Sequence, residues 1–169
     1  MTIITKSTLL NIISGNILPD SGYISFKGAN QDVQIPGNGI KDLISYREQV
    51  GIVAQDSHIF SECLAFNICM SDEIPDEFFV FWNWIKTRIT YLEKWAINPM
   101  DPVSPDMLSL GQKQLISAIR SCFLKKPVVL FDEISSALDS DLEEALREVI
   151  LLIQKNSLTL IVAHRLETI

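Results

Sequence analysis

Apolar residues recur along this chain at two spacings, helical and alternating, and the switches between them outline its elements. Leu9, Leu10, Ile12 and Ile13 predict a short helix over Ser7–Ser14, with Gly15 as its stop. The turn Pro19-Asp20-Ser21-Gly22 then leads into an alternating strand, Tyr23–Lys27, closed by Gly28. A polar stretch with Pro36, Gly37 and Gly39 reads as a loop before a helical segment over Lys41–Arg47. Val50–Val53 follows as a buried strand ending at Gln55. Between Asp76 and Trp95 the aromatic-rich run FFVFWNWIKTRITYLEKW has helical character and predicts a separate helical lobe.

Pro99, Pro102 and Pro105 break that lobe. The stretch LSLGQKQLISAIRSCFL then opens with Ser109 and, three residues on, Gln112, a capping-box spacing, and buries Leu115, Ile116, Ile119 and Phe123. Val128–Phe131 predicts an apolar strand running into Asp132-Glu133. Ser140 and Glu143 are placed to cap a further helix carrying Leu142, Leu146, Val149, Ile150 and Ile153, and Leu158–Val162 predicts a last strand ending near His164. Helices alternating with short, wholly apolar strands imply an α/β fold with a parallel sheet. Gln55, Asp132, Glu133 and His164 all fall just past strand C-termini, the edge of an open α/β sheet where ligands bind.

Composition narrows the partners. With 169 residues, 47% hydrophobic and 21% charged, the chain suits one domain with a sizeable core. A net charge of −7 gives no electrostatic reason to expect nucleic acid or an anionic lipid surface. Cys63, Cys69 and Cys122 are odd in number and lack paired spacing, so reduced thiols are expected rather than a disulfide framework or a zinc site. The sequence contains no apolar run of membrane-spanning length and no signal-like N-terminal segment, so a soluble, unexported chain is expected.

Taken singly, the polar candidates are ordinary. Adjacent carboxylates after a strand, as at Asp132-Glu133, can divide between holding Mg²⁺ and polarising an attacking water, yet they often merely begin a loop. Ser109 and Gln112 alone are a helix cap, Lys6 alone a solvated lysine, and a lone His164 more often structural than catalytic.

Together, six stretches in order resemble the nucleotide-binding domain of ATP-binding cassette (ABC) transporters. KSTLL at Lys6–Leu10 looks like the end of Walker A, and VAQDSHIF at Val53–Phe60 like the Q-loop. LSLGQKQ at Leu108–Gln114 looks like the LSGGQ signature, VVLFDE at Val128–Glu133 like Walker B, SALD at Ser136–Asp139 like the D-loop and AHRL at Ala163–Leu166 like the H-loop. The wording around IVAQDSHIFSECLAFNI and TLIVAHRLETI is similar to the exporter branch, in which cassette and membrane domain are usually fused.

The resemblance implies a P-loop NTPase-like parallel sheet flanked by helices, a helical subdomain over about 70–125, and a partial N-terminal β subdomain. It implies one nucleotide-binding domain over 1–169, incomplete at both ends. ATP and Mg²⁺ would be the cofactors. Lys6 would hold the β- and γ-phosphates, Thr8 a phosphate oxygen at a helix N-terminus, and Ser7, Asp132 and Gln55 the metal and attacking water. Glu133 would be the general base, and His164 would contact the γ-phosphate. In the family two cassettes pair head to tail, so Ser109, Gly111 and Gln112, with Asp139 of the D-loop, would meet ATP across the interface of a homo- or heterodimer. The implied setting is cytoplasmic, at the inner face of a membrane through a transmembrane partner. The aromatic lobe (Phe78, Phe79, Phe81, Trp82, Trp84, Trp95) would either pack a core or dock on that partner.

Several positions depart from the family pattern. Aligned on Lys6, the pattern GxSGxGK sets Thr2 at the hydroxyl, but β-branched Ile3 and Thr5 where glycines are expected. Each charge-assisted hydrogen bond lost from such a loop is worth roughly 1.5–3 kcal/mol, so losing two weakens nucleotide binding by about two orders of magnitude or more. Leu110 stands at the first signature glycine, and Pro102-Val103-Ser104-Pro105 replaces the acidic stretch usual before the signature. Three functions follow as expectations: an exporter cassette coupling ATP hydrolysis to transport; a degenerate or fragmentary cassette serving only as a dimerisation or regulatory partner; and a soluble non-transport ABC ATPase.

Overall fold

The computed structural model describes residues 6–27, 32–35, 40–134 and 138–162. Its elements run α1 (Lys6–Ile13), β1 (Ile24–Lys27), β2 (Asp32–Ile35), α2 (Ile40–Gln49), β3 (Val50–Val53), α3 (Leu64–Cys69), α4 (Asp76–Lys86), α5 (Thr90–Trp95), a 3₁₀ turn (Pro105–Met107), α6 (Leu110–Phe123), β4 (Val128–Asp132), α7 (Ser140–Gln154) and β5 (Leu158–Val162).

Among the described residues β3, β4 and β5 form a parallel sheet in that order, with Val53 opposite Phe131 and Asp132 opposite Val162. β4 is central, and its alternating side chains enter two different cores. Val128 and Leu130 pack with Leu10 of α1, Tyr46 of α2, Val50 and Ile35. Val129 and Phe131 join the larger cluster that holds Leu115, Ile116 and Ile119 of α6 and Leu146, Val149 and Ile153 of α7. A strand buried on both faces between helical layers accounts for the uninterrupted apolar run VVLF. The expected α/β parallel architecture is therefore present.

α1 ends at Gly15, whose φ of +75° is a left-handed conformation glycine adopts without strain. α2 fastens that end: Tyr46 Oη donates to Ile13 O at 2.7 Å, and Arg47 donates through Nε and Nη2 to Gly15 O at 3.1 and 2.7 Å.

Three local expectations need correction. β2, which pairs antiparallel with β1, lies in the stretch read as loop. The aromatic run is two helices, α4 and α5, broken around Thr87–Ile89, and it shares the core of α6 and α7. The N-cap of α7 is Asp139, whose Oδ1 accepts from Leu142 N at 2.9 Å, while Ser140 is the first helical residue. In the aromatic run, Phe78 and Trp82 are buried, Phe81 and Trp95 pack partly on the core, and Phe79 and Trp84 are exposed.

Candidate functional site

The C-terminal edge of the sheet gathers the candidates from β3 and β4. Gln55 lies exposed two residues past β3; Asp132 closes β4, half-buried; and Glu133 follows it, also half-buried. Glu133 adopts φ +51°, a conformation uncommon for a residue with a Cβ. Its backbone is tied on both sides. Glu133 N donates to Val162 O of β5 at 3.0 Å, and Glu133 O accepts from Gln114 Nε2 of α6 at 3.0 Å. His164 and Ser136 of the D-loop-like stretch lie outside the described residues.

Lys6 and Ser7 open α1 and Thr8 follows, half-buried, so the three occupy the first turn, where backbone N–H groups lack partners within the helix. Leu10 carries α1 onto the β4 face formed by Val128 and Leu130. The helix following the Walker A-like stretch is thus seated on the strand that ends in Asp132.

At the start of α6 the capping box is formed as the spacing predicts. Ser109 Oγ accepts from Gln112 N at 3.2 Å, Gln112 Oε1 accepts from Ser109 N at 3.0 Å, and Gln112 Nε2 donates to Tyr91 Oη of α5 at 3.0 Å. Gly111 is buried against α7, where a Cβ would stand 2.2 Å from Leu138 Cδ2 and 2.5 Å from Leu142 Cδ2. A side chain here would force both leucine side chains to shift. Leu110, by contrast, is 46% exposed, and Met107, three residues earlier, is 83% exposed.

Sequence reasoning overlooked the polar residues that hold these pieces in place. Gln114 is buried beneath the strand ends. Asn67 is fully buried on α3 and binds both backbone groups of Phe60, with Phe60 N donating to Oδ1 at 2.8 Å and Nδ2 donating to Phe60 O at 3.0 Å. Arg120 donates from Nε to Asn67 O at 2.6 Å and from Nη2 to His58 O at 3.2 Å, and burial lowers its pKa. The available signal was a polar residue interrupting an apolar helical face, as in LAFNIC and QKQLISAI.

The profile of the ABC transporter family matches residues 5–136, more than half of the chain. The chain belongs to the ABC transporter family. Over 97% of its length it is 32% identical to the ABC-type transporter fsqE of Aspergillus fumigatus. It is 30% and 31% identical to the ATP-dependent lipid A-core flippases of Thiobacillus denitrificans and Aliivibrio fischeri. It spans only 13% of the first relative and 28% of each flippase. The exporter-like wording of this ABC-family chain agrees with those relatives. Among its described residues no helix is long and apolar enough to cross a membrane, and no cluster of three or more His, Cys, Asp or Glu side chains is gathered for a metal.

Proposed function

We propose that this chain is the nucleotide-binding cassette of an exporter-like ABC transporter, binding MgATP and coupling its hydrolysis to movement of a substrate across a membrane. The observation that carries the reading is the strand-end arrangement. Gln55, Asp132 and Glu133 share one sheet edge, and Glu133 is held in an unusual backbone conformation by bonds from two other elements.

In this reading Glu133 accepts a proton from the attacking water, Gln55 orients that water, and the first turn of α1, with Lys6 and Thr8, binds phosphate. His164 would contact the γ-phosphate. The donor set suits Mg²⁺, which takes few protein oxygens and keeps phosphate and water ligands; Asp132, Gln55 and Ser7 would hold it. When bound, Mg²⁺ neutralises charge on the transferring phosphoryl group. A second cassette, head to tail, would meet the α6 face of Ser109, Gly111 and Gln112 together with Asp139, and a transmembrane domain would place the chain at the inner face of a membrane. The 70–125 region would act as the helical subdomain.

A second reading, a regulatory partner with little activity of its own, is favoured by one observation. Exposed Leu110 and Met107 flank Ser109 where a phosphate would approach.

The test is a MgATP titration with a hydrolysis assay, comparing the chain with Glu133→Gln. Because Ile3 and Thr5 replace loop glycines, binding should be weak, on the order of hundreds of micromolar, with hydrolysis abolished by the substitution. Micromolar affinity would overturn the deformed-loop reading, and an unchanged rate in Glu133→Gln would remove that residue as base.

A further inference from the structure

One buried amide at the strand ends has no role in the scheme above. Gln114 is 1% exposed and lies five residues past Ser109 on α6, about 7.5 Å along the helix axis. Its Nε2 carries two hydrogens, and it donates to carbonyls at the ends of two different strands: Glu133 O at 3.0 Å and Ala54 O at 3.4 Å. Ala54 immediately precedes Gln55. A single side chain of α6 thus touches the backbone at both groups proposed to manage the attacking water.

We propose that Gln114 is the positioning residue for Glu133, fixing the backbone from which the carboxylate departs and linking that setting to the N-terminal end of α6. The inference rests on the reading of Glu133 as general base.

Two observations separate this role from ordinary packing. First, α6 is seated on β3 without Gln114: Ser117 Oγ donates to Ile52 O at 3.0 Å, and Ser121 lies against Gly51. An apolar residue at 114 would fill the same space, so what the amide adds is its hydrogen bonding, the donation to both strand ends included. Second, Glu133 at φ +51° is held only as firmly as its neighbours hold it. Its N–H is tied to β5 and its carbonyl to Gln114, so loss of the amide removes one of the backbone bonds that hold the strained residue. A shift of α6 along its axis would pull Ala54 and Glu133 together. The capped end that carries Ser109 and Gln112 is thereby connected to both groups through a rigid helix.

The test uses the whole chain with Gln114→Met, which matches glutamine in length and volume but has no donors. Ser117→Ala, which removes the other α6–β3 hydrogen bond, is the control. Amide hydrogen exchange is followed at Ala54–Asp56 and at Glu133–Ile134, with α4 and α7 as internal references. Gln114→Met should speed exchange at both strand ends by about tenfold and leave the references unchanged, whereas Ser117→Ala should not affect Glu133–Ile134. In the hydrolysis assay Gln114→Met should lower kcat by about 10–100-fold with KM for MgATP unchanged, the signature of a misplaced base.

Wild-type exchange at Glu133–Ile134 in Gln114→Met would overturn the proposal, as would an equal kcat loss in Ser117→Ala. If the methionine variant fails to fold, Gln114→Asn, one methylene too short to reach both carbonyls, carries the same exchange criterion. Absence of hydrolysis in the parent chain would remove the assigned reaction, and the exchange result would still decide whether Gln114 positions Glu133.

Discussion

Asn67→Ala should be among the most destabilising single changes in this chain, although no candidate site residue is touched. The Asn67 side chain is fully buried, and its Oδ1 accepts from Phe60 N at 2.8 Å. Its Nδ2 donates to Phe60 O at 3.0 Å and to Cys63 O at 3.1 Å, with Glu62 O at 3.5 Å. Alanine leaves the Phe60 N–H and carbonyl without these partners, at roughly 1–3 kcal/mol for each buried group that water cannot reach, while Cys63 O keeps the residue-67 N–H at 3.2 Å and Glu62 O the Val103 N–H at 2.9 Å. Phe60 is itself 37% exposed, so water recovers part of that loss. The expected cost is about 2–4 kcal/mol, a large share of the ~5–15 kcal/mol typical of a domain. In urea, with a slope of about 2 kcal/mol per molar, the midpoint should fall by roughly 1–2 M. The same bonds shape the segment from Phe60 to Cys63, downstream of Gln55, so limited proteolysis should cut there first in the variant. Asn67→Asp keeps an acceptor for Phe60 N but sets a carboxylate against two carbonyls, and should lose a similar amount at neutral pH. A loss below about 1 kcal/mol for Asn67→Ala would refute the reasoning, because it would mean the loop re-satisfies its groups elsewhere.

Glu133→Gly relieves the φ of +51° and should raise stability by about 1 kcal/mol while abolishing hydrolysis; a lowered melting temperature would show that the conformation is not strained. Gly111→Ala sets a Cβ within 2.2 Å of Leu138 Cδ2 and 2.5 Å of Leu142 Cδ2. Overpacking of about 1–3 kcal/mol exceeds the gain of at most ~1 kcal/mol in helix propensity, so thermal melts should show net destabilisation, and a stabilised variant would contradict the close packing of α6 on α7. Burial, and secondarily the charge of Cys63, pushes the Cys69 thiol up to about 11. A raised folded pKa contributes stability that is complete below the ordinary thiol value of about 8.5 and lost as pH climbs toward 11. Tyr46 and half-buried Cys122, both raised by burial, act in the same direction, and Lys126, lowered by burial, acts in the opposite one. Melts of the parent chain from pH 7.5 to 11 should therefore fall more steeply than those of Cys69→Val, and parallel curves would count against the assignment.

The elements legible in the sequence are those whose signal is local. β3, β4 and β5 are short apolar runs, α7 carries a long apolar stripe, and the Ser109–Gln112 box is a four-residue pattern that forms as spaced. β2 is hard to read because its alternation, Asp32-Val33-Gln34-Ile35, lasts only four residues inside a polar, glycine-rich stretch; it becomes a strand when β1 offers its edge. α3 was missed for a related reason. Six residues cannot sustain a helix alone, and Asn67, which breaks its apolar face, is the residue that ties it to the preceding loop. The cap of α7 was displaced by one residue because Asp139 and Ser140 are both competent caps and sequence offers no way to choose.

The site divides along the same line. Gln55, Asp132 and Glu133 could be placed because parallel strands put their C-termini on one edge whatever lies between them. Gln114 could not be placed, since its meaning depends on which carbonyls come within reach of a buried amide. The α6 terminus shows why a local pattern and a functional motif are hard to separate. Ser109 and Gln112 satisfy each other's backbone groups, so the bonds that end the helix occupy atoms the family resemblance assigns to nucleotide. As acceptor from Gln112 N, the Ser109 hydroxyl keeps its own proton to donate, so capping and anion contact are compatible at that residue. Leu110 is where they conflict, because the residue next to Ser109 carries an exposed apolar side chain with no role in the cap. In the proposed reading the sheet edge supplies the carboxylates for hydrolysis, and the residue at 110 is where the α6 face departs from the glycine of the family pattern.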